Sequence, residues 1–224
     1  RKLSVTTRIT VTGTVILIGA GVAMVGVLEW NNTLVGLPAG TRVLAAFFQG
    51  VSPRTAGFNS IDYADAHPIT LMVTDIYMFI GGGSAGTAGG VKVTTAIVLL
   101  AAMAAEFRGR DDTTVGHRTV PKTVVRQAMT VAAAGVVSVT GGVVALRIFD
   151  PQFTADQVSF EVMSAFATTG LSTGITAGLS TPSQLVLCLL MYAGRIGPFT
   201  LVAALALRIP LAHWQMIVFS FGNL

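Results

Sequence analysis

The sequence predicts an all-α membrane protein built from two tandem helix–pore-loop–helix units, on three observations. Only 11% of its 224 residues are charged and 52% are hydrophobic, with a mean hydropathy of +0.73, whereas a soluble domain carries about 25% charged residues. Two uncharged apolar runs reach the length of a membrane span. A shift of 113 residues brings two further parts of the chain into register without a gap.

The spans come first. Residues 9–28 carry no charge and lie between Arg8 and Glu29; residues 127–146 carry none between Arg126 and Arg147. About 20 apolar residues cross a bilayer core as a helix, so each run predicts one span. The first has too long an apolar core for a signal peptide, and no cleavage-site pattern follows it. Two other stretches are interrupted. Residues 66–105 contain Asp75, the tract GGGSAGTAGG at 81–90 and Lys92, and residues 183–207 contain Arg195 and Pro198. Each glycine inside a helix costs about 0.8–1 kcal/mol relative to alanine. Six glycines in ten residues therefore predict a broken helix.

Between span and interrupted span, each half holds a short apolar segment, about 41–53 and 156–167. Such lengths fall short of a crossing and read as re-entrant. The irregular backbone that follows is tolerated at membrane depth only where it lines a watery cavity or is buried in protein. A re-entrant helix and its returning strand can present carbonyl oxygens in place of a cation's hydration shell, which is what a pore needs. The 113-residue shift supports the pairing: Phe47 meets Phe160, Thr55 meets Thr168, Gly57 meets Gly170, Phe58 meets Leu171, and 77–81 meets 190–194. The units are 1–107 and 108–208, with a tail at 209–224.

Lys and Arg collect on one side. Arg1, Lys2 and Arg8 precede the first span, Arg108, Arg110, Arg118, Lys122 and Arg126 fill the 106–126 connection, and Arg208 follows the last span. The opposite connections hold Arg42 and Arg54 against Glu29, Asp62 and Asp65, and Arg147 against Asp150, Asp156 and Glu161. The positive-inside rule places both termini and 106–126 in the cytoplasm. A net charge of +4 confined to the ends of apolar runs gives no nucleic-acid surface. Cys188 stands alone in an apolar run, and His67, His117 and His213 share no metal spacing.

Four ordered motifs carry a resemblance: SPRTAGFN from Ser52, the glycine tract followed by VKVTT, SAFATTGLS from Ser164, and GRIGP from Gly194. Over about residues 8–207 they resemble the Trk/Ktr/HKT potassium transporter superfamily, closest to the bacterial KtrB/TrkH-like pore subunits. That family builds one pore from four helix–pore-loop–helix units, and this sequence resembles the third and fourth, the C-terminal half. The resemblance implies potassium uptake, with K⁺ bound by backbone carbonyls of two filter strands. These are Thr55, Ala56, Gly57, Phe58 and Asn59, and Thr168, Thr169, Gly170, Leu171 and Ser172. It makes Gly81, Gly82, Gly83, Ser84, Ala85, Gly86, Thr87, Ala88, Gly89 and Gly90 an intramembrane gate loop. Arg195 stands below the filter as an electrostatic barrier or gating group, and Lys92 anchors the lower half-helix. An arginine within a span costs about 2.5–3.5 kcal/mol on insertion scales unless it faces protein or water. Arg54 is expected to brace the pore loop, and Asp75 to sit near the hydrated outer end.

The resemblance further implies a multi-pass protein of the bacterial plasma membrane, working as a homodimer with a cytoplasmic nucleotide-binding (RCK-type) subunit, for which the 106–126 connection and the C-terminus are the expected docking places. K⁺ is the transported ion, Na⁺ is left open as a second, and no organic cofactor is expected on this chain. Two strands cannot ring an ion, so the chain supplies half a pore. A fragment of a longer chain is the favoured reading, since the first residue is not methionine; a split subunit and a self-dimerising half stay open. Three rivals remain, two enzyme readings that use the glycines of the tract and one that shares the broken helices. A secondary transporter of another solute shares them but not the Thr-x-Gly loops. A membrane serine hydrolase would use Gly82-x-Ser84-x-Gly86 with His117 or His213, against membrane-like flanks where a strand is needed. A phosphate-binding loop fails because Val91 displaces Lys92 and Val93 replaces Ser/Thr.

Overall fold

The computed structural model describes residues 5–83, 89–110, 112–115 and 118–196. Ser84, Ala85, Gly86, Thr87 and Ala88 of the tract, His117, His213, Pro198, Arg208 and the 209–224 tail lie outside the described residues.

Seven α-helices carry the described residues. The long ones are α1 (Val5–Leu28) and α5 (Lys122–Phe149), of 24 and 28 residues. At 1.5 Å per residue both exceed the roughly 30 Å of a bilayer core, and both are apolar enough to cross it. Each leads into a 13-residue helix, α2 (Ala39–Val51) or α6 (Ala155–Ala167), only about 20 Å long. After an irregular segment come α3 (Pro68–Phe79) and α4 (Val93–Phe107) in the first half, and α7 (Thr181–Ile196) in the second. A 3₁₀ turn, Thr176–Gly178, precedes α7.

The ends of these helices have local causes. Pro68 takes the first position of α3, where its missing N–H is no loss, and the His67 ring accepts the Ile69 N–H at 3.2 Å. Thr154 and Gln157 form a capping box at the start of α6. Pro121 sits immediately before α5. The connection from α4 to α5 holds a feature outside the all-helical expectation. Strands β1 (Thr114–Val115) and β2 (Arg118–Thr119) pair antiparallel, Thr114 opposite Thr119. Three of their four residues are β-branched, the type that fits an extended, paired backbone.

Helix α6 is the centre of the packing, against α3, α5 and α7. Its Val158, Phe160, Val162 and Phe166 are fully buried. Phe160 meets Tyr63 with ring centroids 4.8 Å apart, and Phe166 meets Phe79 at 6.3 Å. Helix α2 lies across α1, backbone to backbone: a Cβ on Gly50 would stand 2.5 Å from the Val22 nitrogen. Small residues permit such crossings where helices pack in lipid. Outward, Val15, Val137 and Leu189 are exposed, as apolar side chains are where the surroundings are hydrocarbon or further protein.

Candidate cation pathway

Two irregular segments leave the C-terminal ends of α2 and α6 and turn in the same way. In the first, the Ala56 and Gly57 N–H groups donate to the Ser52 carbonyl at 3.1 and 3.4 Å, and Ser52 Oγ donates to the Phe58 carbonyl. In the second, the Thr169 N–H donates to the Ser164 carbonyl at 2.9 Å and the Gly170 N–H to Ser164 Oγ at 3.1 Å. Among the described residues, Thr55 and Thr168 are the two non-glycine residues of positive φ, at 71° and 54°. Gly57 and Gly170 follow two positions on, at 75° and 95°. A threonine in this region is strained and holds only where its surroundings over-determine it. Both pairs fall on the 113-residue shift.

The two segments touch. A Cβ built on Gly57 would lie 2.1 Å from the Thr169 carbonyl oxygen, and one on Gly170 would lie 3.8 Å from Gly57 Cα. Thr169 therefore turns its carbonyl oxygen toward the facing strand, while its own side chain is buried. Of the ten residues expected to form filter strands, the structure brings Gly57, Thr169 and Gly170 together. Beyond them, a cavity of about 440 Å³ opens between Asn59, Ser60 and Asp62 on one side and Leu171, Ser172 and Gly174 on the other.

Each segment is held from behind by a polar side chain on the short helix. Gln49 Oε1 accepts the Ser60 N–H at 2.9 Å, and its amide donates to the Tyr63 hydroxyl. Glu161 accepts from the Thr173 N–H at 3.1 Å, Thr176 Oγ1 at 3.0 Å, and Ser172 Oγ. Ser60 and Thr173 again stand 113 apart. Sequence reasoning weighed Glu161 only as a loop charge and passed over Gln49. The signal was there: both are long polar residues inside short apolar helices, and both are buried.

The glycine tract breaks the inner helix as expected, but its ends are stitched together. The Gly81 N–H donates to the Val91 carbonyl at 2.8 Å, Val91 N–H to Phe79 at 3.0 Å, and Val93 N–H to Gly82 at 3.2 Å. Ile80 and Val91 form a parallel bridge. So α4 resumes beside the point where α3 stops. The second end of the tract also reaches the second loop: the Gly89 N–H donates to Thr168 Oγ1 at 3.1 Å. A Cβ at Gly89 would lie 2.7 Å from the Ala167 carbonyl oxygen, so only glycine fits there. At the first end, a Cβ on Gly83 would meet Thr10 of α1 at 2.8 Å.

The charged residues fall around this frame. Lys92 is half-buried at the N-cap of α4, within electrostatic reach of Arg195, which is exposed in the last turn of α7. Arg54 bonds α1 rather than its own loop, donating to the Thr14 carbonyl and Thr14 Oγ1, both at 3.2 Å. Asp75 is not at a hydrated end. It is half-buried against α6, one oxygen accepting from Ser159 Oγ at 2.7 Å and the other buried without a hydrogen-bond partner. Gly194 of α7 packs on the end of α6, where an added Cβ would stand 1.8 Å from the Phe166 carbonyl oxygen.

Two carboxylates at the ends of the long helices were weighed only as loop charges in the sequence. Glu29, after α1, accepts the His67 N–H at 3.0 Å and the Thr70 hydroxyl at the start of α3, besides Asn32 and Thr33. Asp150, after α5, accepts the Ser180 N–H at 3.0 Å and Ser180 Oγ at 2.8 Å before α7. The partners correspond, His67 with Ser180 and Thr70 with Ser183. At Glu29, burial pushes the carboxyl up, but the Thr70, Thr33, His67 and Asn32 hydrogen bonds together outweigh it and hold it below the usual range. At Asp150 the Ser183 hydroxyl leads, burial opposes, and the Ser180 and Gln152 bonds complete a pKa lowered to about 2.

Comparison with known proteins agrees with this architecture. The TrkH family, described as a cation transport protein, matches residues 3–215. The Ktr system potassium uptake protein B of Bacillus subtilis is 38% identical over 92% of this chain and 46% of its own length. The potassium/sodium uptake protein NtpJ of Enterococcus hirae is 35% identical over 93% of the chain and 47% of its own. The crystal structure of the potassium transporter TrkH from Vibrio parahaemolyticus superposes with a TM-score of 0.71 at 22% identity, covering 92% of this chain and 44% of that one; at that identity it speaks for the fold. The chain thus spans about half the length of these relatives. A match along nearly the whole sequence, and a relative at 38% identity, settle the family: this chain belongs to the TrkH family of cation transport proteins.

Proposed function

We propose that the chain supplies half of a membrane pore for K⁺ uptake, as two tandem helix–pore-loop–helix units at 1–107 and 108–208. The observation that carries the reading is the pair of short-helix loops with matching strain, Thr55 and Gly57 against Thr168 and Gly170, in contact through the Thr169 carbonyl. Carbonyl oxygens held at fixed positions can replace a cation's hydration shell. A left-handed threonine and a left-handed glycine two positions on re-aim the carbonyls between them, and the Gln49 and Glu161 bonds hold the strands from behind. The filter in this reading is Thr55–Asn59 and Thr168–Ser172, completed by two further strands from the rest of the protein. The names of the relatives support K⁺ as the ion, and NtpJ supports Na⁺ as a second.

The glycine tract at 81–90 is read as the gate. Support comes from its place: its second end hydrogen-bonds Thr168 at the base of a filter strand, while Gly81 and Gly82 at its first end bond Val91 and Val93 and so close the break between α3 and α4. Lys92 and Arg195 put two cations beside this level, an electrostatic hindrance to K⁺ that gating would relieve. The reading includes a homodimer of complete subunits in the bacterial plasma membrane; cytoplasmic termini and a cytoplasmic 106–126 connection accord with the distribution of Lys and Arg. A cytoplasmic nucleotide-binding (RCK-type) subunit docking on that connection accords with a relative named as part of a Ktr system.

Uptake by the full-length protein in cells lacking their own K⁺ transport tests the reading. Rb⁺ should compete with K⁺ and organic solutes should not; competition by an organic solute would favour a broken-helix secondary transporter. Shortening the 81–90 tract should raise basal K⁺ flux, and unchanged flux would reduce the tract to a static kink.

A further inference from the structure

The faces of α1 and α4 hold a feature the ion pathway leaves unused. An apolar groove of about 700 Å³ runs between them, within the roughly 300–1,000 Å³ of small-molecule sites. Its walls include Ile16 and Leu17 from α1 and Ile97 and Leu100 from α4. At one end stand Arg8 of α1 and Arg118 of β2, both exposed. At the other are Ile80 and Val93, which flank the stitched helix break. Among the described residues, no acidic side chain lines the groove.

These features select one kind of occupant. It must carry a negative charge at one end and be apolar along the rest. Free phosphate would satisfy the arginines and leave the apolar wall uncovered; a helix of another copy would need an acidic residue placed between two guanidinium groups. The arginines lie on the side that the Lys/Arg distribution assigns to the cytoplasm, where the leaflet is rich in anionic lipid and basic pockets between helices bind lipid headgroups. Arg8 and Arg118 come from separate elements, so the hairpin in the α4–α5 connection has a purpose beyond joining two helices: it brings the second guanidinium to the groove.

We propose that this groove holds an anionic phospholipid, its phosphate between Arg8 and Arg118 and an acyl chain along α1 and α4. The far end of the chain then abuts Ile80 and Val93, giving lipid a contact with the base of the glycine tract. The inference rests on the membrane-embedded reading but not on the filter, and its test reads binding without transport.

Full-length protein in phosphatidylcholine vesicles carries either phosphatidylglycerol or phosphatidylcholine with a photoreactive acyl chain, and labelled peptides are mapped. Phosphatidylglycerol should label α1 and α4 well above phosphatidylcholine. The Arg8→Gln/Arg118→Gln pair should cut that labelling by roughly tenfold, since each basic residue contributes appreciably to anionic-lipid attraction. Ala96→Trp should remove it by filling the groove with the arginines intact. Equal labelling by both lipids in the wild type, or labelling only elsewhere, overturns the proposal even if a variant fails to fold. So does a crosslink from a photoreactive residue at position 96 to another polypeptide segment, which would make protein the occupant.

Discussion

Gly194 shows how little a helix's own preference decides in this molecule. It lies inside α7, where alanine should stabilise the helix by about 1 kcal/mol. Yet the added methyl would fall 1.8 Å from the Phe166 carbonyl oxygen, and backbone cannot give way as a side-chain tip would. Gly194→Ala is therefore expected to destabilise the full-length protein, by about 1–3 kcal/mol as for other overpacked sites, with lost K⁺ uptake; a rise in thermal stability would refute the contact. Gly57 and Gly170 differ in the same currency of space. Both have positive φ, so alanine strains either by about 1–2 kcal/mol. Only at Gly57 does the new Cβ also collide, 2.1 Å from Thr169 O. Uptake should fall further in Gly57→Ala than in Gly170→Ala; the reverse order would place the closest approach elsewhere.

At the scale of elements, the paired carboxylates explain how a long helix and an inner helix stay together across each irregular segment. Glu29 ties the end of α1 to the start of α3, and Asp150 ties the end of α5 to the start of α7. Their folded pKa values lie below the ordinary 4.5 and 3.8. The native state thus binds fewer protons than the unfolded chain at mildly acid pH, and the stabilisation is complete above the unfolded value and lost as pH falls through the folded one. For Asp150 that window runs from about 3.8 down to about 2. Thermal unfolding of the detergent-solubilised full-length protein should show melting temperature dropping through this range. Asp150→Asn should be less stable at neutral pH and show a shallower drop, because its amide cannot replace a carboxylate that accepts from three residues. An unaltered acid slope would mean the junction does not depend on the charge.

These ties also mark where sequence stopped being informative. From Thr55 and Thr168 to the starts of α3 and α7 the two halves match at a constant 113 residues, because the stretch between has the same length in both. Thr55, Gly57 and their counterparts were legible for that reason. Glu29 and Asp150 stand 121 apart, since the connection after α1 is longer than that after α5, so the shift that found the loops could not pair them. Gln49 and Glu161 stand 112 apart and differ in chemistry, which hid a shared task. The glycine tract announced a break, but not that Val91 returns to Phe79 and Gly81; such closure depends on two ends meeting in space. Asp75 was misplaced for the same reason, because which face of α3 packs on α6 is a tertiary fact.

For the whole molecule, the described helices form two successive sets around α6 and leave broad apolar surfaces, Val15, Val137 and Leu189 among them. A cation ringed by carbonyls needs strands from all sides, and this chain brings two into contact. The chain covers about half the length of its relatives, so the proposed pore is completed by strands outside it and transport is measured on the full-length protein. The central claim is that the Gly57 and Thr169 backbones are part of the ion's coordination. K⁺ uptake by the full-length protein, with Na⁺ and Rb⁺ as competitors, compared between wild type and Gly57→Ser, tests it most directly. Wild type should admit K⁺ and Rb⁺ well ahead of Na⁺, and Gly57→Ser, present in the membrane in normal amounts, should lose that preference. An unchanged order of competition in the variant would contradict it.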